Sequence, residues 1–292
     1  MQASSAPLTA AQPAMNLTDA EFRQLRDFIH SHTGIALSDH KRALVYARLA
    51  KRLRHHRLER FADYYQLLTE DDPDGQELVE MINCITTNKT DFFREPHHFR
   101  FLSEHVFPEI RARASAGQRR VRLWSAGSAT GEEAYTLAIA VREAFPPQEP
   151  WDIRILATDI DTRVLAHAEE GEYTSEQAER IPVELRHRYF YQGEGGNAGW
   201  VQAKSSLKDL IRFRRLNLMD DPWPMRGPFD AIFCRNVIIY FDRPTQRRLI
   251  DRMTQLLRPG GYLFLGHSES LIGAESKLRH VSQSVYQNQE RT

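Results

Sequence analysis

From residue 16 onward the apolar positions of the chain recur first at helical spacing and later in short strand-like runs. Phe22, Leu25, Phe28 and Ile29 follow Thr18 and Glu21, which fit a capping box, so a helix is predicted to start at NLTDAEF and to stop near Gly34. A second helix is predicted from around Ser38 or Asp39, with Leu44, Val45, Leu49 and Leu53 on one face. Two more are predicted over FADYYQLLTE and, after the DDPDG break, over QELVEMINCI. Residues 16–87 are therefore expected to form an all-helical domain. Residues 88–118 are expected to be a linker containing a connecting helix over EPHHFRFLSEHVFPEIRARA.

Beyond residue 119 the pattern changes to alternating strand and helix. VRLWSAG, IRILATDI, FRRLNL, FDAIFC, YLFLGHS and SVYQNQ read as strands, and EEAYTLAIAVREAF, TRVLAHAEEG and PTQRRLIDRMTQLL as helices. Such alternation predicts an α/β domain over 119–292, a mainly parallel sheet with helices on both faces, whose ligand lies at the carboxyl ends of the strands. HRYFYQGEGGNAGWVQAKSSLKDLIRF interrupts it with a glycine-bearing turn between alternating stretches, which predicts a small inserted antiparallel β-subdomain at about 187–212.

Composition narrows the function. The 292 residues include 39 basic and 39 acidic side chains, so no whole-chain charge draws the protein to nucleic acid or to an anionic membrane. Cys84 and Cys234 are the only cysteines and form no CxxC, which argues against a disulfide framework or a zinc site and fits the reducing cytoplasm. The first 15 residues are rich in Ala, Pro and Ser and read as a disordered tail, without the charged start and apolar stretch of a signal peptide. No run approaches the roughly 18 apolar residues of a membrane span. One local charge excess stands out: KRALVYARLAKRLRHHR carries Arg48, Lys51, Arg52 and Arg54 among its basic residues and no acidic one. It reads either as a solvated helix face or as a docking surface for an acidic partner.

The strand ends carry the candidate chemistry. The turn after VRLWSAG has Gly127 and Gly131 in a GxxxG spacing that matches neither a dinucleotide fingerprint nor a triphosphate loop, and these glycines would let a ligand approach the backbone. Glu132 and Glu133 open the next helix, where they suit its dipole and would repel a phosphate. Asp159 ends the second strand and can accept from ribose hydroxyls, while Asp161 is placed to cap the following helix. An acidic pocket with a ribose acceptor and no phosphate loop fits S-adenosylmethionine. After FDAIFC, Arg235 and Asn236 interrupt an apolar run. They are expected to face a cavity while Val237, Ile238 and Ile239 return the chain to the core.

LWSAGSATGEEAYTLAI, ATDID, LNL, FDAIFCRNVIIYFD and LRPGGYLFLGHSE, in this order, together with ITTNKTDFFREPHHF upstream, resemble the chemotaxis-receptor glutamate O-methyltransferases over about residues 16–288. The resemblance implies a Rossmann-like class I methyltransferase sheet, S-adenosylmethionine as methyl donor with S-adenosylhomocysteine as product, and esterification of glutamate carboxylates on the cytoplasmic helices of chemoreceptors. It implies that Asn88, Thr90 and Arg94 reach onto the cofactor, that Glu133 and Asp159 hold its polar groups and ribose, and that Asn217 and Leu218 flank its adenine. It further implies that Arg235, Asn236 and Tyr240 line the far side of the pocket, with Arg94, Arg235 and Tyr240 closest to the chemistry. In some members a subdomain like the inserted one grips the receptor's C-terminal peptide by strand addition.

These roles fit the residue types. A carboxylate is ionised at neutral pH and needs no general base, so the enzyme mainly aligns an in-line displacement and removes water from the nucleophile. Structural alternatives stand beside each role: Arg94 paired with Glu95, Tyr240 as a core aromatic, Asn217 as a turn residue. His97, His98 and His267 invite a metal, which is not expected because no adjacent acid completes a ligand set. The alternative functions are methylation of another nucleophile and a cofactor-binding adaptor without turnover. No Asn/Asp-Pro-Pro-aromatic turn is present for nitrogen methylation, and Cys234 lacks the Pro-Cys setting of carbon methylation.

Overall fold

The computed structural model describes residues 15–114, 117–271 and 277–289. The tail expected at 1–15 lies, but for Met15, outside them. Contacts divide the chain into two compact units: one runs up to Ser31 and resumes over Leu37–Ile85, and the other joins His32–Ala36 to the chain from Thr86 onward.

The first unit is built from helices α1 (Asp19–Thr33), α2 (Arg42–His56), α3 (Phe61–Glu70) and α4 (Gln76–Ile85). Glu21 N donates to Thr18 Oγ1 at 3.3 Å while Glu21 Oε2 accepts from Thr18 N at 2.9 Å, a closed capping box. Phe22, Leu25, Val45, Leu49, Leu53 and Phe61 are buried, as their spacing requires. The basic face of α2, however, is divided. Arg52, whose side chain is only 14% exposed, donates through Nε to Glu77 Oε1 at 2.8 Å and through Nη2 to Glu77 Oε2. Tyr64 Oη donates to the same carboxylate at 2.6 Å, and His56 Nε2 lies 2.7 Å from it. Burial alone would raise the pKa of Glu77, but the hydrogen bonds from Arg52, Tyr64 and His56 outweigh it and hold the group down at about 2. Arg48 donates to the carbonyl of Ile85. The expected docking set of Arg48, Lys51, Arg52 and Arg54 is therefore corrected: Arg48 and Arg52 are committed inside the unit, and Lys51 and Arg54 are exposed.

In the second unit, α5 (Pro96–Phe101) runs through a π-helical turn, Leu102–Val106, into α6 (Phe107–Arg113). Next come β1 (Arg120–Ala126), α7 (Glu132–Ala144), β2 (Asp152–Asp159), α8 (Thr162–Glu170), β3 (Glu172–Thr174), α9 (Ser175–Ala178) and α10 (Val183–Tyr189). They are followed by β4 (Phe190–Gln192), β5 (Trp200–Ala203), α11 (Ser205–Lys208), β6 (Ile211–Arg215), β7 (Phe229–Cys234), α12 (Arg243–Leu256), β8 (Leu257–Leu265), β9 (Leu278–Ser282) and β10 (Val285–Asn288). Among the described residues the main sheet has seven strands in the order β6-β2-β1-β7-β8-β10-β9. The first five are parallel, and β10 and β9 close the edge antiparallel.

Alternation along each central strand fills two cores, one on each face of the sheet. Leu123, Phe233 and Phe264 join Phe99, Leu102 and Ile110 on one face, and Trp124, Ile232 and Leu263 join Leu249 and Met253 on the other. The segment expected to be a linker thus carries a helix that is one layer of the sheet's own packing. The inserted subdomain is a three-stranded antiparallel sheet in the order β3-β5-β4. It begins at Glu172, before the expected boundary at 187, because the three-residue β3 pairs with β5. Ile211 onward belongs instead to the main sheet.

Candidate active site

Strand order reverses beside β1, which has β2 on one side and β7 on the other. The crevice at their carboxyl ends is where an open α/β sheet binds its ligand. The turn after β1 is held from β2: Gly127 N and Ser128 N both donate to Thr158 O, and Ala129 N donates to Asp159 Oδ2 at 2.9 Å. Asp161 N donates to Asp159 Oδ1 at 2.9 Å, so both Asp159 oxygens already hold backbone. Burial raises the Asp159 pKa, against those hydrogen bonds. Gly127 (φ +80°) and Gly131 (φ +96°) are required by packing within the protein. A Cβ on the first would sit 2.3 Å from Val237 Cγ2, and on the second 2.8 Å from the Ala168 Cβ. Both glycines therefore have a packing role inside the protein besides the ligand approach expected of them.

At the end of β7 lies Arg235, its side chain 2% exposed. Its Nε is 3.5 Å from Glu133 Oε2 and 3.4 Å from Glu95 Oε2, Nη2 donates to Arg94 O, and the guanidinium lies 5.5 Å from the Phe99 ring centroid. Nη1 has no hydrogen-bond partner. Glu133 accepts from Ser125 Oγ at 2.6 Å; burial raises its pKa, with Arg235 opposing. Two carboxylates and a guanidinium thus meet in a buried space where neither Nε nor Nη1 of the guanidinium makes a hydrogen bond.

Beyond Arg235 the chain returns to the core at Val237 and Ile238, as expected, but not at Ile239. Asn236 takes φ +58°, and Ile238–Tyr240 form a 3-10 turn that buries Ile238 and leaves Ile239 47% exposed. This turn is clamped by Glu269, a buried carboxylate that accepts from Asn236 N (2.8 Å), Gly266 N (2.6 Å) and Ile239 N (3.2 Å). Tyr240 is half-buried, and its carbonyl accepts from Ala36 N at 2.8 Å. The segment His32–Ala36 reaches the same loops a second time through Asn217, whose Nδ2 donates to His32 O at 2.6 Å while Oδ1 accepts from Met219 N at 3.0 Å.

Two family models match the chain: "CheR methyltransferase, all-alpha domain" over residues 20–86 and "CheR methyltransferase, SAM binding domain" over 88–287. The chain belongs to the CheR methyltransferase family. Curated CheR relatives share its length as well as its sequence. Chemotaxis protein methyltransferase 2 of Pseudomonas aeruginosa is 45% identical over 92% of this chain and 93% of its own. The chemotaxis protein methyltransferase of Klebsiella aerogenes is 43% identical over 97% and 94%, and that of Escherichia coli K12 is 42% identical over 92% and 91%. The mixed α/β sheet, the all-alpha domain and the small antiparallel sheet are the elements expected from the sequence.

Within this CheR chain, Arg94, Glu133 and Arg235 converge through the contacts above, and Asp159 lies across the turn from them. Asn88 is placed otherwise. Its Nδ2 donates to Asp161 Oδ2 at 2.7 Å, beside Thr86 Oγ1 at 2.8 Å, while Asp161 Oδ1 caps α8 through Arg163 N and Val164 N. Thr90 and Leu218 are half-buried and buried respectively. Arg94 does not pair with Glu95; its Nη1 donates to Lys89 O at 2.8 Å. The histidines do have an acid beside them, contrary to expectation, since ligand atoms of Glu95, His97 and His98 lie within 4.8 Å of one another. Arg235 occupies the other side of that acid, where its charge would oppose a cation. Burial, reinforced by Arg235, pushes His98 down to about 3. Ser125, Glu95 and Glu269 escaped the sequence reading. The serine that breaks VRLW and the acid of GHSE were the signals present.

Proposed function

We propose that the chain transfers the methyl group of S-adenosylmethionine to glutamate side-chain carboxylates of chemoreceptors, forming methyl esters, and that it does so in the cytoplasm. The observation that carries this reading is the buried Arg235, set between Glu133 and Glu95 at the end of β7 with Nη1 unpartnered. A buried donor without a partner is costly, and an α-amino acid group satisfies such a cluster, its carboxylate on Arg235 and Arg94 and its ammonium on Glu133. Ser128 Oγ, also buried and unpartnered, supplies a further polar contact on the β1 turn. Asp159 retains lone pairs for ribose hydroxyls, and Leu218 offers an apolar wall for adenine. Asn217 acts by fixing the loop beside His32–Ala36. Bound there, the cofactor supplies a sulfonium-activated methyl group.

The protein's task is then alignment. Arg235 and Tyr240 leave the same clamped loop, so the tyrosine hydroxyl can fix the angle of an incoming carboxylate at a distance set by Glu269. A thiolate route is disfavoured: Cys234 is fully buried and burial pushes its pKa well up. Lys51 and Arg54, the exposed part of the basic helix, suit docking on an acidic receptor helix, with the surface attraction screened by salt. The β4 edge of the small sheet, with Tyr191 exposed, suits strand addition by a receptor C-terminal peptide.

The test is transfer of tritiated methyl from S-adenosylmethionine to receptor-bearing membranes. Label should appear in receptor and be released as methanol by mild base. Label that survives base would point to amine or carbon methylation and overturn the reading.

A further inference from the structure

A groove of about 370 Å³ opens beside the catalytic loop, between the Ile238–Tyr240 turn, the start of α12 and the turn after β8. Ile239 and Ile250 give it an apolar wall, Arg243 and Arg247 a basic one, and Ser268 and Ser270 a polar rim. Ile239 is among the few large apolar side chains left exposed in the described residues. Arg243 and Arg247 are exposed and make no ion pair among the described residues. Four residues apart on a helix, they project together.

Their placement is unfavourable for the helix itself. Asp242 caps α12 through Thr245 N at 2.9 Å, so Arg243 stands at the first helical position, where the helix dipole repels a cation. Other arginines of α12 are engaged with the fold: Arg252 stacks 3.8 Å from the Trp223 ring centroid and donates to Leu218 O and Asp220 O, and Arg248 donates to Met219 Sδ. Arg243 and Arg247 have no such work. The groove is also tied to the chemistry by one carboxylate, since Glu269 lines it while holding the N–H groups of both Asn236 and Ile239.

We propose that this groove seats the helix that carries the target glutamate. An amphipathic segment would lay an apolar side chain on Ile239 and acidic side chains, one turn apart, on Arg243 and Arg247, presenting its glutamate to Tyr240. The inference rests on the receptor-carboxylate reading above and says where on the sheet unit the substrate is held.

The experiment compares wild type, the charge-reversed Arg243→Glu/Arg247→Glu protein and Ile239→Ser in methylation of receptor membranes across a salt series. Binding of S-adenosylhomocysteine and the thermal midpoint are measured alongside. The double reversal should raise KM for receptor about tenfold or more at low salt and flatten its salt dependence, with cofactor affinity and midpoint unchanged. Ile239→Ser should raise KM severalfold without altering the salt dependence. Wild-type-like KM in both variants overturns the groove proposal while base-labile label from wild type keeps the functional reading. Absence of base-labile label from wild type removes both. Sedimentation showing wild type paired and Ile239→Ser monomeric would assign the groove to a second copy instead and overturn it.

Discussion

Two arginine–carboxylate clusters in this molecule use the same chemistry to opposite ends. In the helical unit, Arg52, Tyr64 and His56 converge on Glu77 at 2.8 Å or closer, and the carboxylate is held charged, down at about 2. In the sheet unit, Arg235 faces Glu95 and Glu133 at 3.4 and 3.5 Å, with Nη1 and one Glu95 oxygen unmatched and Glu133 shifted upward by burial. The first cluster is closed and holds a fold together. The second is kept short of partners, as expected of a site whose remaining hydrogen bonds come from a ligand.

The largest effect should come from breaking the closed cluster. Arg52→Glu sets two carboxylates against each other, and Glu77→Gln leaves the largely buried Arg52 with only the more distant Glu80, at 3.8 Å, as counter-ion. Each should cost about 3–5 kcal/mol in denaturant unfolding of the helical unit, with affinity for S-adenosylhomocysteine unchanged. A loss of receptor methylation in Arg52→Glu would accordingly report unfolding, so the docking face is better probed at Lys51 and Arg54.

Next in size, Tyr240→Phe removes one hydroxyl from the loop shared with Arg235. It should slow turnover about 10- to 100-fold and leave cofactor affinity nearly unchanged. Unchanged turnover would make Tyr240 a packing residue.

Acid sharpens the contrast further. The folded-state pKa of Glu77 lies below the ordinary carboxylate value of about 4.3, so its stabilisation is present above that value and lost as pH falls toward about 2. The gap in thermal midpoint between wild type and Glu77→Gln should close over this window. A gap that stays constant would show that the charge of Glu77 is not what stabilises the unit. The smallest effect is expected from Lys51→Glu/Arg54→Glu, a severalfold rise in KM for receptor that fades with added salt. A salt-independent rise would argue against charge docking.

How much of this the sequence could show depends on the range of each interaction. The central strands and the longer helices follow from periodicity, because each buries one face over many residues. β3 was missed because three residues carry no period, and β9 because LRHVS is mostly polar on a sheet edge. The state of Arg52 depends on an acid 25 positions away, and that of Arg235 on acids 102 and 140 positions earlier, separations no local pattern encodes. Val237, Ile238 and Ile239 read as core because composition cannot show the chain bending into a 3-10 turn that faces Ile239 outward. The resemblance nominated Arg94, Glu133, Asp159 and Arg235 for one pocket, and Arg235 contacts Glu133 and the Arg94 carbonyl. It could not show that Gly127 is required by Val237, or that Asn88 holds Asp161.

The account stands most directly on calorimetric titration of S-adenosylhomocysteine into Glu133→Gln. Replacing a buried carboxylate whose pKa is already raised costs the fold little, so the thermal midpoint should hold or rise while cofactor affinity falls tenfold or more, the reverse of Glu77→Gln. Wild-type affinity in Glu133→Gln would contradict the assignment of the open Arg235 cluster to the cofactor.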